Sequence, residues 1–140
     1  MQVSMMERGR IERLWPVVVQ ALWPAIRQDP TYNVQSLYDR LTQGSALLFE
    51  VEDGAQGLWV VTLDEDDGLV AWTTAIAGKI EGGPKARLSL IREAVGAIEN
   101  VAKLAGCKAH RICGRDWNRI LPEYTPFSGA KNGIERKLVA

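Results

Sequence analysis

The stretch from Gly68 to Trp117 limits the folds open to this chain more than any other. It begins with Leu69-Val70-Ala71-Trp72-Thr73-Thr74-Ala75-Ile76, rich in the β-branched and aromatic residues that suit a half-buried pleat, and it reads as a strand. A glycine-rich turn follows, Gly78-Lys79-Ile80-Glu81-Gly82-Gly83-Pro84, and apolar residues then recur at Leu88, Ile91, Val95, Ile98, Ala102 and Ala105. Spacings of three and four are the period of a helix with one buried face. Pro84 suits the first helical position, where a missing N–H costs little, and Gly106 suits the left-handed residue just past the end. The apolar segment from Ala109 to Cys113 reads as a second strand, and Gly114-Arg115-Asp116-Trp117 as the start of another helix. Strand, loop, helix, strand is a βαβ crossover, which sets the loop and its unpaired amides at the carboxyl edge of a sheet, where ligands usually sit.

A length of 140 residues suits one domain, 1–140, with a hydrophobic core of its own. Lys plus Arg and Asp plus Glu both number 17, so no net field points to nucleic acid or to an anionic membrane as partner. Val17-Val18-Val19 is only a brief apolar run between prolines, unlike a spanning helix or a signal peptide. The expected compartment is a cytosol. Cys107 and Cys113 stand at the two ends of one extended segment, too far apart to bridge to each other, and are expected as reduced thiols.

Upstream, apolar residues at Ile11, Leu14, Trp15, Val18, Val19, Leu22 and Ile26 fit one helix face between Met6 and Gln28. Pro16 and Pro24 interrupt it, so a kinked helix or two short ones are expected. Asn33 is a plausible N-cap for a second helix closed by Gly44. Ala46 to Val51, Leu58 to Leu63 and the strand from Leu69 form an antiparallel meander around an Asp53-Gly54 turn and an acidic turn ending in Gly68. After Trp117 the helix is expected to be short, because Pro122 and Thr125-Pro126 follow; a polar loop from Ser128 to Gly133 leads to a last strand from Ile134 to Val139. The fold class is mixed α/β (α+β), and its core should join Leu88, Ile91, Val95 and Ile98 to Phe49, Val60 and Ile112.

This order of elements resembles the GNAT fold of the Gcn5-related acyl-CoA-dependent N-acetyltransferases over nearly the whole chain. The first strand of that fold would lie near Gln2-Val3-Ser4, where the sequence carries almost no signal. Four phrases sharpen the resemblance: Leu14-Trp15-Pro16, Leu41 to Ala46, Leu104-Ala105-Gly106-Cys107, and Gly114-Arg115-Asp116-Trp117-Asn118-Arg119-Ile120-Leu121. Together they are similar to the small GNAT-like proteins of tailed bacteriophages. The resemblance implies an acyl-CoA pyrophosphate site in an Arg/Gln-x-x-Gly-x-Gly/Ala loop, where amides at a helix N-terminus donate to phosphate. On this chain the matching positions are Lys79, Gly82 and Gly83. Pro84 falls on the closing position without an N–H to give, and Glu81 adds a negative charge.

The catalytic pair of many GNAT enzymes is also interrupted. No acid lies between Leu69 and Ala77, and Leu121 takes the tyrosine position, with Tyr124 one turn further on. Glu50 and Glu52 are expected on a solvated face. His110 is the only histidine, so with Cys107 and Cys113 it makes no zinc-finger spacing. The resemblance therefore implies a catalytically degenerate GNAT-like phage protein that needs no cofactor. It would act by binding other phage proteins, within the host cytoplasm or as a component of the virion, and without nucleic acid or membrane. Arg115 and Trp117 are the expected partner-binding residues. The alternative is an active N-acetyltransferase that uses acetyl-CoA.

Overall fold

In the computed structural model, residues 2–28, 33–52, 55–80, 83–113, 117, 119–129 and 132–138 are described. Ten elements follow in order: β1 (Gln2–Met5), α1 (Arg8–Ile26), α2 (Val34–Gln43), β2 (Ala46–Glu52), β3 (Ala55–Glu65), β4 (Leu69–Ile80), α3 (Pro84–Leu104), β5 (Ala109–Ile112), β6 (Thr125–Phe127) and β7 (Gly133–Lys137). The strands form one sheet in the order β1-β2-β3-β4-β5-β7-β6. Only β4 and β5 run parallel, which is what a crossover through α3 requires.

Both helix ends read from the sequence have physical stops. Asn33 accepts from the amides of Gln35 and Ser36 at 2.9 and 3.1 Å, satisfying two donors at the start of α2. Past α3, Gly106 takes φ 87°, and the amides of Gly106 and Cys107 bond back to Lys103 and Ala102. That is a Schellman closure, which a residue with a Cβ reaches only under strain.

The first helix forms as one element rather than two short ones. α1 is one continuous helix with Pro16 and Pro24 inside it. Both prolines are exposed, as are Glu12 and Gln20, whose carbonyls lose their donors, so the interruptions face water. The opposite face holds the helix in one piece by burying Ile11, Val18, Leu22 and Ile26. β1, almost invisible in the sequence, forms by pairing Gln2 to Met5 against Glu52 to Phe49.

The sheet has a core on each face. Under α3 lie Phe49, Trp59, Val61, Leu90, Val95, Ile98, Ile112 and Ile134; under α1 and α2 lie Leu22, Leu41, Leu48, Val60 and Ala75. Val60 therefore packs on the face opposite to the one expected, because neighbouring strand residues alternate between faces. Leu90 is fully buried, while Leu88 and Ile91 are half-buried at the flank of the stripe.

The segment after β5 is a second correction. Among its described residues no helix forms; the amides of Ile120 and Leu121 both bond to the Trp117 carbonyl, which makes a single turn. Thr125-Pro126 is not merely a stop but part of β6, paired antiparallel with β7. A proline is tolerated there because β6 is an edge strand of the sheet.

Candidate functional site

β3 and β4 pair along their whole length with one shift of register: Val60 faces Ala75, whereas Val61 faces Thr73. Thr74 is thus an extra residue on β4, a bulge. On its other side β4 pairs with β5 only from Val70 to Thr73, against Ala109 to Ile112. From the bulge onward β4 continues to Ile80 with no partner on that side among the described residues. The parallel pairing therefore ends with β5, on the side from which β4 runs on toward α3.

At that N-terminus Gly83 is the N-cap, exposed and with nothing within 4 Å of where a Cβ would stand. The first intrahelical bond runs from the Arg87 amide to the Gly83 carbonyl at 3.2 Å. Pro84 has no N–H, so the amides of Lys85 and Ala86 are the free helix donors. Lys79, expected in the turn, instead lies in β4, opposite Gln56. Gly82 falls outside the described residues. A phosphate group placed here would meet two helix amides in a first turn that holds no acidic residue.

The second feature was not anticipated from the sequence. His110, at 0% exposure, stands on β5 between two hydroxyls: Thr73 Oγ1 is 2.7 Å from Nε2 and Tyr124 Oη is 2.6 Å from Nδ1. Tyr124 in turn donates to Glu99 Oε1 at 3.2 Å, and Arg136 donates to both oxygens of Glu99 at 3.3 and 3.0 Å. A carboxylate only accepts, so the tyrosine proton points to Glu99. His110 then carries its proton on Nδ1 and donates to the tyrosine oxygen, while Nε2 accepts from Thr73. Burial pushes the His110 pKa down to about 3, so the ring is neutral. Burial, joined by the charge of Glu99, pushes Tyr124 well above the ordinary phenol range.

This chain bears directly on Tyr124 as a candidate acid. Its one proton is committed to Glu99 and its oxygen to His110, and the residue is 5% exposed. The hydroxyl has no proton left for a reacting group. Leu121, at the position where a tyrosine was sought, is buried in the α3-side core. Glu50 is not on a solvated face; its side chain is 14% exposed and pairs with Arg10 of α1. The side chain of Glu52 lies outside the described residues.

Trp117 is 4% exposed, packs in the core under α3, and donates from Nε1 to the Cys113 carbonyl at 3.4 Å. It offers a partner little surface, and Arg115 lies outside the described residues. Cys107 is buried and Cys113 half-buried, neither in a disulfide. No cluster of three or more metal-ligating side chains occurs among the described residues, and no helix among them is long and apolar enough to cross a membrane.

No protein-family model matches the sequence, and no curated protein does. Solved structures do match in fold. An aminoglycoside 6'-acetyltransferase type Ii is similar over 100% of this chain and 99% of its own, with a TM-score of 0.64 at 9% identity. The AtaT-AtaR complex bound to DNA contains a chain similar over 99% of this one and 95% of its own, with a TM-score of 0.55 at 7% identity. A tetramutant of the BH1408 protein from Bacillus halodurans matches 85% of this chain and 86% of its own, with a TM-score of 0.51 at 13% identity. At such identities the likeness carries architecture and not reaction. The chain has a GNAT-like fold: a mostly antiparallel seven-stranded sheet with α1 and α2 on one face and α3 on the other.

Proposed function

We propose that this is a GNAT-like protein without acyl-transfer chemistry of its own, which works by binding other proteins as a virion or assembly component of a tailed bacteriophage, made in the host cytoplasm. The observation that carries the loss of chemistry is the engagement of Tyr124 by His110 and Glu99. A general acid has to bring its proton within hydrogen-bond reach of its substrate, and the proton of this hydroxyl is held by Glu99. The absence of any carboxylate from Leu69 to Ala77 supports the same reading. The phage setting rests on the four sequence phrases.

The surface best suited to a protein partner is the outward side of α1. Pro16, Val17, Ala21, Trp23 and Pro24 are all exposed there, Val17 at 64% and Trp23 at 50%. Exposed tryptophan beside aliphatic residues is the composition of an interface centre. A likeness to a chain of the AtaT-AtaR complex is consistent with a fold used in protein assemblies. The test is to isolate virions carrying Trp23→Glu or Val17→Glu in place of the native residue. Loss of incorporation with an unchanged melting temperature supports the reading. Unchanged incorporation for both variants overturns α1 as the surface, and absence of the native protein from virions overturns the virion role.

One observation favours a second reading, an acyl-CoA-dependent N-acetyltransferase. The bulge at Thr74 and the end of the β4–β5 pairing at Thr73 leave the last residues of β4 without a partner on the β5 side among the described residues, on the way to the α3 N-terminus. In that reading Lys79, Gly82 and Gly83, with the amides of Lys85 and Ala86, hold the pyrophosphate, and the thioester supplies the acyl group. The fit is partial, because Pro84 withdraws one amide from the phosphate.

A further inference from the structure

The buried chain that engages Tyr124 forms the back wall of a surface cleft that neither reading uses. The cleft, about 230 Å³, lies between α3, the segment from Leu121 to Tyr124, and Arg136 of β7. It lies along α3, away from the α3 N-terminus to which the last residues of β4 lead. Its volume is below the range of drug-sized pockets, about 300–1,000 Å³, and suits a ligand the size of an amino acid.

Two independent features mark it as more than a crevice. The first is Gly96, in the middle of α3 and lining the cleft. A glycine inside a helix lowers its stability relative to alanine and leaves its place on the helix without a side chain. Packing does not explain this one, since a Cβ there would meet nothing within 4 Å, and its φ is not positive. What the missing methyl leaves is room in the cleft.

The second feature is charge. Glu99 and Arg136 neutralise each other at 3.0 Å. Arg92 and Glu123, also lining the cleft, have no hydrogen bond or ion pair among the described residues. This cation and this anion share the cleft with Val95 and Leu121. A ligand with only one charge would gain from one of them and be repelled by the other, whereas a zwitterion satisfies both.

We propose that this cleft binds a small zwitterion of the α-amino-acid class, its carboxylate on Arg92, its ammonium on Glu123, and its apolar side chain over Val95 and Gly96. Calorimetry on the full chain, with three probes of similar shape, tests it: L-leucine, 3-methylbutylamine and 4-methylpentanoate. L-leucine should bind saturably, and each single-charge analogue at least about tenfold more weakly. Arg92→Gln and Glu123→Gln, both at exposed positions, should each weaken L-leucine by about tenfold or more while the fold is retained. Gly96→Ala gives the sharpest separation: the melting temperature should rise and L-leucine binding should fall. Absence of saturable L-leucine binding overturns the proposal. So does equal binding of either analogue, or Gly96→Ala binding as tightly as the native chain.

Discussion

Acid should destabilise this protein chiefly through one residue. His110 is 0% exposed and its pKa is pushed down to about 3, against an ordinary value of 6.5. The folded state therefore binds fewer protons than the unfolded one, and stability is lost as pH falls below 6.5. Each pH unit between 6.5 and 3 costs about 1.4 kcal/mol. Going from pH 7 to pH 4 spans about 2.5 of those units and should remove about 3 kcal/mol, a large part of the 5–15 kcal/mol typical of a domain. Other groups also titrate in that range, so the comparison is with His110→Gln, whose amide can bond Thr73 and Tyr124 but cannot charge. Urea unfolding at pH 7 and pH 4 measures both proteins. The native chain should lose about 3 kcal/mol more than the variant over that interval. A difference below about 0.5 kcal/mol would show that the ring is not held neutral in the fold, and the bonding chain drawn through Tyr124 to Glu99 would be wrong.

Other substitutions have equally definite outcomes. Ile98→Ala, at 1% exposure beneath α3, should cost about 2–5 kcal/mol in denaturant unfolding. Trp117→Ala should cost about 3–5 kcal/mol, because the ring is 4% exposed in the same core; a loss under about 1 kcal/mol would return Trp117 to the surface as a partner anchor. Asn33→Ala removes the acceptor for two amides of α2 and should cost about 1 kcal/mol, with Asn33→Ser largely neutral. Gly106→Ala, at φ 87°, should cost about 1–2 kcal/mol, the strain of placing a Cβ in the left-handed region.

Much of the frame was legible because local chemistry marks it. Asn33 and Gly44 bound α2, and Pro84 and Gly106 bound α3, by donors and backbone angles contained within a few residues. β1 was hidden because four residues at a sheet edge carry little pattern, and their pairing with β2 is made across the intervening α1 and α2. The face of Val60 was not readable, since Leu58 to Leu63 is apolar or β-branched throughout and its alternation leaves no trace in composition. In α1 the prolines leave a kinked helix and two short helices equally open, and only their position on the exposed side shows why the helix continues.

The site divides in the same way. The turn into α3 was visible as glycine and proline, although its first residues prove to be the end of β4. The linkage of Tyr124 was invisible, because its partners His110 and Glu99 lie 14 and 25 residues away. A lone histidine in an apolar strand gives no sign of what its two nitrogens meet. A tyrosine near the expected position could be found by spacing, but whether its proton was free depended on α3 and β7 together.

If, as proposed, the carboxyl edge of β4 and β5 does not serve acyl-CoA chemistry, calorimetry of acetyl-CoA with the purified chain shows it. The expected result is weak binding or none, since Pro84 removes a phosphate donor and Glu81 adds repulsion. A micromolar dissociation constant that is lost on Gly82→Asp would contradict the account and make this chain an acyl-CoA-binding transferase.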